Sequence, residues 1–239
     1  MLAEALFFAW PAITGASLII HRKWAMSTDR TSSHENTIRR FLEPAPLLLI
    51  ISGPSGVGKD TVLDAMRAAG LAFHFVVTST SRPPRPGEVD GEDYVFVSRD
   101  EFERMIAHDE LIEYALVYDQ YKGIPKKHVR EALASGQDVV MRLDVQGAET
   151  VKSLIPEAIS VFLIAPSLEI LEQRLRARRS DTPAQIQARL DKAQAEMEAL
   201  AHFDYVVPNR DGQVERAVAD IEAILRAERL RVGRRPIKL

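Results

Sequence analysis

The chain is 239 residues long, 46% hydrophobic and 27% charged, which is enough apolar material for one sizeable α/β core. Its formal net charge of -3 makes no electrostatic case for a nucleic-acid or membrane-surface partner. It has no cysteine, so disulfides and cysteine metal sites are excluded, and a cytoplasmic location is compatible with that.

Residues 1–46 read as an N-terminal extension outside the domain, expected to be disordered. Leu2 to Ile20 is largely apolar and is followed by His21-Arg22-Lys23. A secretory leader needs a basic start and a small-residue cleavage site, whereas Glu4 and no basic residue precede the apolar run. A spanning helix would have to carry Glu4, Pro11 and Gly15 within about 20 residues, so a weak membrane or targeting segment stands only as the alternative. Ser27 to Glu35 is polar and lacks the apolar residues a core requires.

Leu47 to Ile51 is an unbroken apolar run, the pattern of a strand buried on both faces. It enters Gly53-Pro54-Ser55-Gly56-Val57-Gly58-Lys59, which has the phosphate-loop spacing of a glycine, four residues, then Gly-Lys. The glycines let successive N–H groups turn toward phosphate oxygens, the following helix adds its positive end, and Lys59 reaches the outer phosphates. A Ser or Thr normally comes next and holds magnesium through its hydroxyl. Here Asp60 takes that position, followed by Thr61.

Val62, Leu63, Ala65 and Met66 predict a helix over Thr61 to Ala69, stopped by Gly70. Phe73 to Thr78 reads as a strand, and the prolines of Ser79 to Gly87 forbid a helix there. Glu92 to Val97 alternates as a half-exposed strand should. Ser98 and Glu101 form a capping-box pattern for a helix through Ala107. Leu111 to Tyr118 is a strand that Gly123-Ile124-Pro125 breaks, and Lys126 to Ala134 is helical. Asp138 to Leu143 is a second buried strand ending at Asp144, Ile159 to Ala165 a third, and Leu168 to Arg179 a helix. Thr182-Pro183-Ala184-Gln185 combines a capping box with proline at the first helical position, starting a helix that runs to about Ala201. Tyr205-Val206-Val207 is a short strand and Val214 to Arg229 a last amphipathic helix, before a basic tail, 230–239, expected to fray. Alternating strands and helices predict a parallel sheet covered on both faces, interrupted by an inserted β-rich lobe at 75–125.

The loop identifies a triphosphate holder but not a reaction. Arg82 and Arg85 sit three apart in a loop stiffened by Pro83, Pro84 and Pro86, and guanidinium forks suit phosphate oxygens. A solvated basic loop is an equal reading of these residues alone, and Glu113 alone reads as a surface carboxylate. Arg174, Arg178 and Arg189 flank Arg179-Ser180-Asp181-Thr182, a candidate lid tip; the plain alternative is a charged helix face with Glu172 and Arg176 paired i,i+4.

Thr78 to Tyr94, TSTSRPPRPGEVDGEDY, together with the phosphate loop, Leu111-Ile112-Glu113-Tyr114 and Asp144-Val145-Gln146-Gly147, resembles the guanylate kinase family over about residues 47 to 227. The resemblance implies a phosphate-loop three-layer α/β/α core with a parallel sheet at 47–74 and 126–229. It also implies an inserted β-rich GMP-binding lobe at 75–125 and a helical lid region at 174–190, all within a domain at 47–229. The implied reaction is transfer of the γ-phosphoryl of ATP to GMP, with magnesium, giving ADP and GDP in purine nucleotide metabolism. Carried over residue by residue, Gly53 to Thr61 fall on the ATP phosphate positions and Asn209 in the adenine-side loop. Arg82, Arg85 and Tyr94 fall on the positions that grip the GMP phosphate, Glu113 and Asp144 on those that read the guanine edge, and Thr78 on a hydroxyl position directed at O6. Lys59, Arg174, Arg178 and Arg189 fall on the catalytic positions. The chemistry agrees, because guanine offers N1–H and an amino group as adjacent donors and ionised carboxylates only accept.

Three positions depart from the family. Asp60 replaces the magnesium hydroxyl and is expected to serve as the metal ligand, since a carboxylate suits that ion. Lys122 stands where a second phosphate-binding tyrosine is usual and can bind phosphate as a point charge. Ile124 replaces a hydroxyl residue near the base. Two rivals remain: a kinase of a ribose phosphate such as ribose 1,5-bisphosphate, which would not need Glu113 and Asp144, and a non-catalytic module of the same fold, which would tend to lose the phosphate loop. The expected partners are ATP and GMP, without nucleic acid or membrane; monomer and homo-oligomer both remain open.

Overall fold

The apolar run from Leu47 becomes the middle strand of a five-stranded sheet. The structure, a computed structural model, describes residue 38 and residues 42–117, 119–177 and 182–239. Expectations placed on residues 1–37, on Tyr118, on Arg178 and on residues 179–181 lie outside them. In chain order the elements are β1 (Leu48–Ser52), α1 (Lys59–Ala68), β2 (Phe73–Phe75), β3 (Ser79–Thr80), β4 (Val95–Phe96), α2 (Arg99–Ala107), β5 (Leu111–Val117) and β6 (Gln120–Pro125). There follow α3 (Lys126–Ala134), β7 (Asp138–Arg142), α4 (Val145–Leu154), β8 (Ile159–Ile164), α5 (Leu168–Ala177), α6 (Pro183–Glu196), a 3-10 turn (Met197–His202), β9 (Tyr205–Pro208) and α7 (Val214–Arg229).

The central sheet has the order β2-β7-β1-β8-β9 and every pairing in it is parallel. Side chains alternate across β1 and so serve two cores. Leu47, Leu49 and Ile51 pack with Val62, Leu63 and Met66 of α1 and with Ala217, Val218, Ile221 and Leu225 of α7. Leu48 and Ile50 pack on the other face with Val129 and Ala132 of α3 and Ala148 and Val151 of α4. Each such side chain contributes on the order of 1.5–3 kcal/mol by leaving water, against at most about 1 kcal/mol for an exposed ion pair. The layers, not the surface charges, hold this core. A parallel sheet also brings the carboxyl ends of its strands to one edge, where ligands of such folds bind.

The inserted lobe is a four-stranded sheet of order β4-β3-β6-β5, with β5 and β6 antiparallel. Gly123-Ile124-Pro125 does not break this sheet, as the sequence suggests, but forms the end of β6. Gly123 is needed there because a Cβ would lie 2.7 Å from the carbonyl oxygen of Glu113 on β5. Ile124 is 2% exposed and packs into the core with Leu48 and Ile50, which accounts for an apolar residue at a position expected to carry a hydroxyl. The strand expected over Glu92 to Val97 shortens to β4 plus a single bridge between Asp90 and Tyr94. Helix α4 has no counterpart in the sequence reading, and α6 gives way to the 3-10 turn before Ala201. The basic tail folds back instead of fraying: Arg234 donates to the carbonyls of Ala45 and Pro46, and Ile237 and Leu239 pack against the second core.

Candidate active site

β1 runs straight into the phosphate loop, where Gly53, Gly56 and Gly58 all have positive φ. At Gly53, with φ 137°, a Cβ would lie 2.4 Å from the carbonyl oxygen of Leu163 on β8, so no side chain fits. Lys59 opens α1 and folds back, its Nζ donating to the carbonyls of Gly53 at 2.5 Å and Pro54 at 3.1 Å. Burial lowers its pKa to about 8; Glu196 opposes that shift, Arg142 adds to it, and Asp60 and Asp144 oppose it. A buried ammonium of this kind gains most from an arriving anion.

The loop is braced from behind. The carbonyl of Val57 accepts from Asn209 Nδ2 at 2.8 Å and from Arg174 Nη1 at 3.1 Å. Arg174 also donates to the Asn209 carbonyl at 2.8 Å and to Asp211 at 2.6 and 2.9 Å. All three guanidinium nitrogens are engaged, so Arg174, expected to be a lid arginine, is a fixed brace in this conformation. Arg189 on α6 reaches the loop directly, donating to Ser55 Oγ at 2.8 Å. Glu196, at the end of the same helix, is half-buried, and burial raises its pKa.

Glu113 and Asp144 meet around Gly147. A Cβ on Gly147 would lie 3.3 Å from Asp144 Oδ1 and 3.5 Å from Glu113 Oε1, and a larger residue would push the two carboxylates apart. Asp144 caps α4, its Oδ1 accepting from the Gly147 N–H at 2.9 Å. The β5–β6 register shifts between Leu111 and Glu113, the kind of irregularity that re-aims a side chain. Leu111 and Ile112 are consequently both buried, and Glu113 is turned into the recess beside Asp144. Burial, and then the charge of Asp144, raise the Glu113 pKa to about 7.

Arg82 is 6% exposed, and its two terminal nitrogens each donate to Glu88 at 2.6 Å. Hydrogen bonds from Arg82, and then from the backbone of Arg85, lower the Glu88 pKa to about 2. The Arg82 guanidinium lies 4.8 Å from the centroid of the Tyr94 ring, and Lys122 Nζ lies 5.4 Å from the same ring. Arg82, Tyr94 and Lys122 therefore assemble, but Arg82 supports Tyr94 with its fork already taken. Arg85 is exposed, and its guanidinium makes no hydrogen bond among the described residues. Thr78 is half-buried and, with Tyr94, lines a groove of about 300 Å³ that also contains Asp60 and Arg142.

Asp60 does not stand alone. Its Oδ1 accepts from Arg142 Nη1 at 2.5 Å, while Oδ2 has no partner among the described residues. Magnesium is commonly bound by one or two carboxylates together with substrate phosphates and water, so this single open oxygen fits that ion. Sequence reasoning singled out none of Glu88, Arg142, Glu196 and Asp211. An available signal for Arg142 was the unusual Asp60 itself, because a misplaced charge invites a compensating one.

A family model described as guanylate kinase matches residues 46–228. Guanylate kinase 2, chloroplastic/mitochondrial, of Oryza sativa subsp. japonica is 48% identical over 197 residues, 82% of this chain and 69% of that protein. The guanylate kinase of Symbiobacterium thermophilum is 44% identical over 192 residues, 80% of this chain and 90% of that one. The crystal structure of guanylate kinase from Anaplasma phagocytophilum is similar with a TM-score of 0.61 at 31% identity, covering 81% of this chain and 92% of that chain.

Proposed function

The chain belongs to the guanylate kinase family, and from that premise we infer that it transfers the γ-phosphoryl of ATP to GMP, giving ADP and GDP for purine nucleotide metabolism. The observation that carries this reading is the pair of carboxylates, Glu113 and Asp144, facing one recess around Gly147 beside a phosphate loop. Glu113 and Asp144 accept from guanine N1–H and its amino group, and Thr78 donates to O6. Adenine presents an acceptor at N1 and would leave a carboxylate unpaired, which is a strong basis for rejection.

Arg85, Tyr94 and Lys122 hold the acceptor phosphate, with Arg82 bracing Tyr94 from behind and adding its charge. The loop from Gly53 through Gly58, with Lys59, Asp60 and Thr61, holds the donor phosphates, and Asn209 flanks the adenine side. A phosphate oxygen of GMP attacks the γ-phosphorus as the bond to the β,γ-bridging oxygen breaks. The protein forms no covalent bond in this step, so its task is to place charge. Lys59, Arg189 and, from the lid region, Arg178 supply it, while Arg174 braces the loop from behind. Asp60 would hold magnesium, which when bound with ATP neutralises phosphate charge.

We place the enzyme in the cytoplasm; among the described residues no helix is long and apolar enough to cross a membrane. Because the rice relative is named chloroplastic/mitochondrial, the check is a fluorescent fusion of the full chain, and accumulation in an organelle would overturn the placement. The activity is tested by coupled detection of ADP with GMP, AMP, UMP and ribose 1,5-bisphosphate as acceptors. Turnover selective for GMP is expected. Turnover confined to the sugar phosphate, or none with any acceptor, would sink the reading.

A further inference from the structure

We propose that Arg142 is an additional ligand of the acceptor phosphate, and that Asp60 is the residue that positions it. Arg142 is the last residue of β7 and pairs in register with Ile51 of β1, immediately before the phosphate loop. Phosphate-loop enzymes commonly hold their metal between the loop hydroxyl and an aspartate from elsewhere in the core. Here the loop position carries the carboxylate, and a strand end beside the loop carries a cation joined to it at 2.5 Å.

This pair is no plausible stabilising device. Its side chains are 43% and 65% exposed, and exposed pairs contribute little to folding. Its effect is on geometry. Only Nη1 of Arg142 is used, so Nη2 and Nε are left without a hydrogen-bond partner among the described residues. The pair lines the same groove as Thr78 and Tyr94, which lie on the acceptor side of the site. Other charges in the groove are spoken for in part: Asp64 pairs with Arg67 at 2.9 Å, and Asp93 accepts from the Val89 N–H at 2.8 Å. Arg142 is also close enough to Lys59 for its charge to add to the lowering of that ammonium's pKa. A planar fork with one nitrogen anchored and an edge open is suited to a phosphate oxygen pair. With the Arg82 fork occupied by Glu88, the acceptor phosphate has more need of such a group.

The inference rests on the GMP reading above and is tested by binding, without metal or ATP, so that it does not depend on turnover. Calorimetric titration of the full chain with GMP and with guanosine separates phosphate from base. Arg142→Gln should weaken GMP about 10- to 100-fold and leave guanosine unchanged, while Arg142→Lys should recover part of the loss. Asp60→Asn should weaken GMP by a smaller factor in the Arg142 background and by nothing further in the Arg142→Gln background. Unchanged GMP affinity in Arg142→Gln, or equal weakening of GMP and guanosine, would overturn the proposal while leaving the GMP reading intact. Failure of the unaltered chain to bind GMP would overturn both.

Discussion

Arg189 and Ser55, 134 residues apart in sequence, are joined by a hydrogen bond of 2.8 Å between guanidinium and hydroxyl. Helix α6 therefore already reaches the phosphate loop, and on the reading proposed above Arg189 supplies charge to the transferring phosphoryl group. Arg189→Ala is expected to lower kcat by roughly 100- to 1,000-fold, the range for losing one preorganised transition-state donor, with KM for GMP changed only slightly. Steady-state kinetics with GMP varied at saturating ATP checks this. A loss confined to KM would show that Arg189 only helps binding.

Glu113 makes GMP binding depend on pH. Its folded pKa is raised to about 7, chiefly by burial, so below that pH the folded protein holds it protonated. On the reading proposed above the guanine contacts require the carboxylate, so GMP must expel that proton. The sign is therefore a loss of affinity on acidification, approaching tenfold for each pH unit below about 7, with a plateau above. The same raised pKa makes the empty protein lose stability as pH rises from the ordinary carboxylate range through about 7. Titrating guanosine, which lacks a titrating phosphate, isolates the effect. A flat profile between pH 5.5 and 8 would contradict it.

Asp60 can be returned to the common phosphate-loop residue. Asp60→Ser should raise the magnesium concentration for half-maximal turnover by about threefold or more, because a carboxylate holds that ion more strongly than a hydroxyl. It also frees Arg142 from its partner at 2.5 Å. A magnesium titration of turnover is the measurement, and an unchanged midpoint with unchanged kcat would remove Asp60 from the metal site.

What could be read in the sequence follows from how local each signal is. The Leu47–Ile51 run and the glycine spacing are contiguous, and they located β1 and its loop. The α3 and α7 boundaries were legible because apolar spacing and flanking residues agree. Helix α4 was not, since its first turn holds Val145 and Gly147, poor helix formers, and its stabilising cap is Asp144, whose role shows only once the Gly147 N–H bond is seen. β6 was hidden because Gly123 and Pro125 argue against a strand, and only the close approach of Glu113 explains the glycine. Arg174 reads as a lid arginine in the sequence because its partners, Val57, Asn209 and Asp211, are far away along the chain. Pairings such as Arg82 with Glu88 and Arg142 with Asp60 are likewise matters of placement that composition does not carry.

Arg174 gives the clearest contrast between a brace and a lid residue. It makes hydrogen bonds to the carbonyls of Val57 and Asn209 and to the carboxylate of Asp211. Removing it leaves the Asn209 carbonyl and the Asp211 carboxylate without this donor, and the Val57 carbonyl held by Asn209 Nδ2 alone, at the back of the phosphate loop. Arg174→Ala should cost about 1.5–3 kcal/mol of stability, the range for losing hydrogen bonds that involve a charged group, and should raise KM for ATP more than KM for GMP. Arg174→Lys should rescue little, because one ammonium cannot span three acceptors that a planar fork reaches together. Thermal melting with and without ATP, alongside kinetics in both substrates, separates the possibilities. An Arg174 that acts solely on the transferring phosphoryl would leave the melting temperature in place and lower kcat alone, whereas a brace must lose stability first, with the loop it holds.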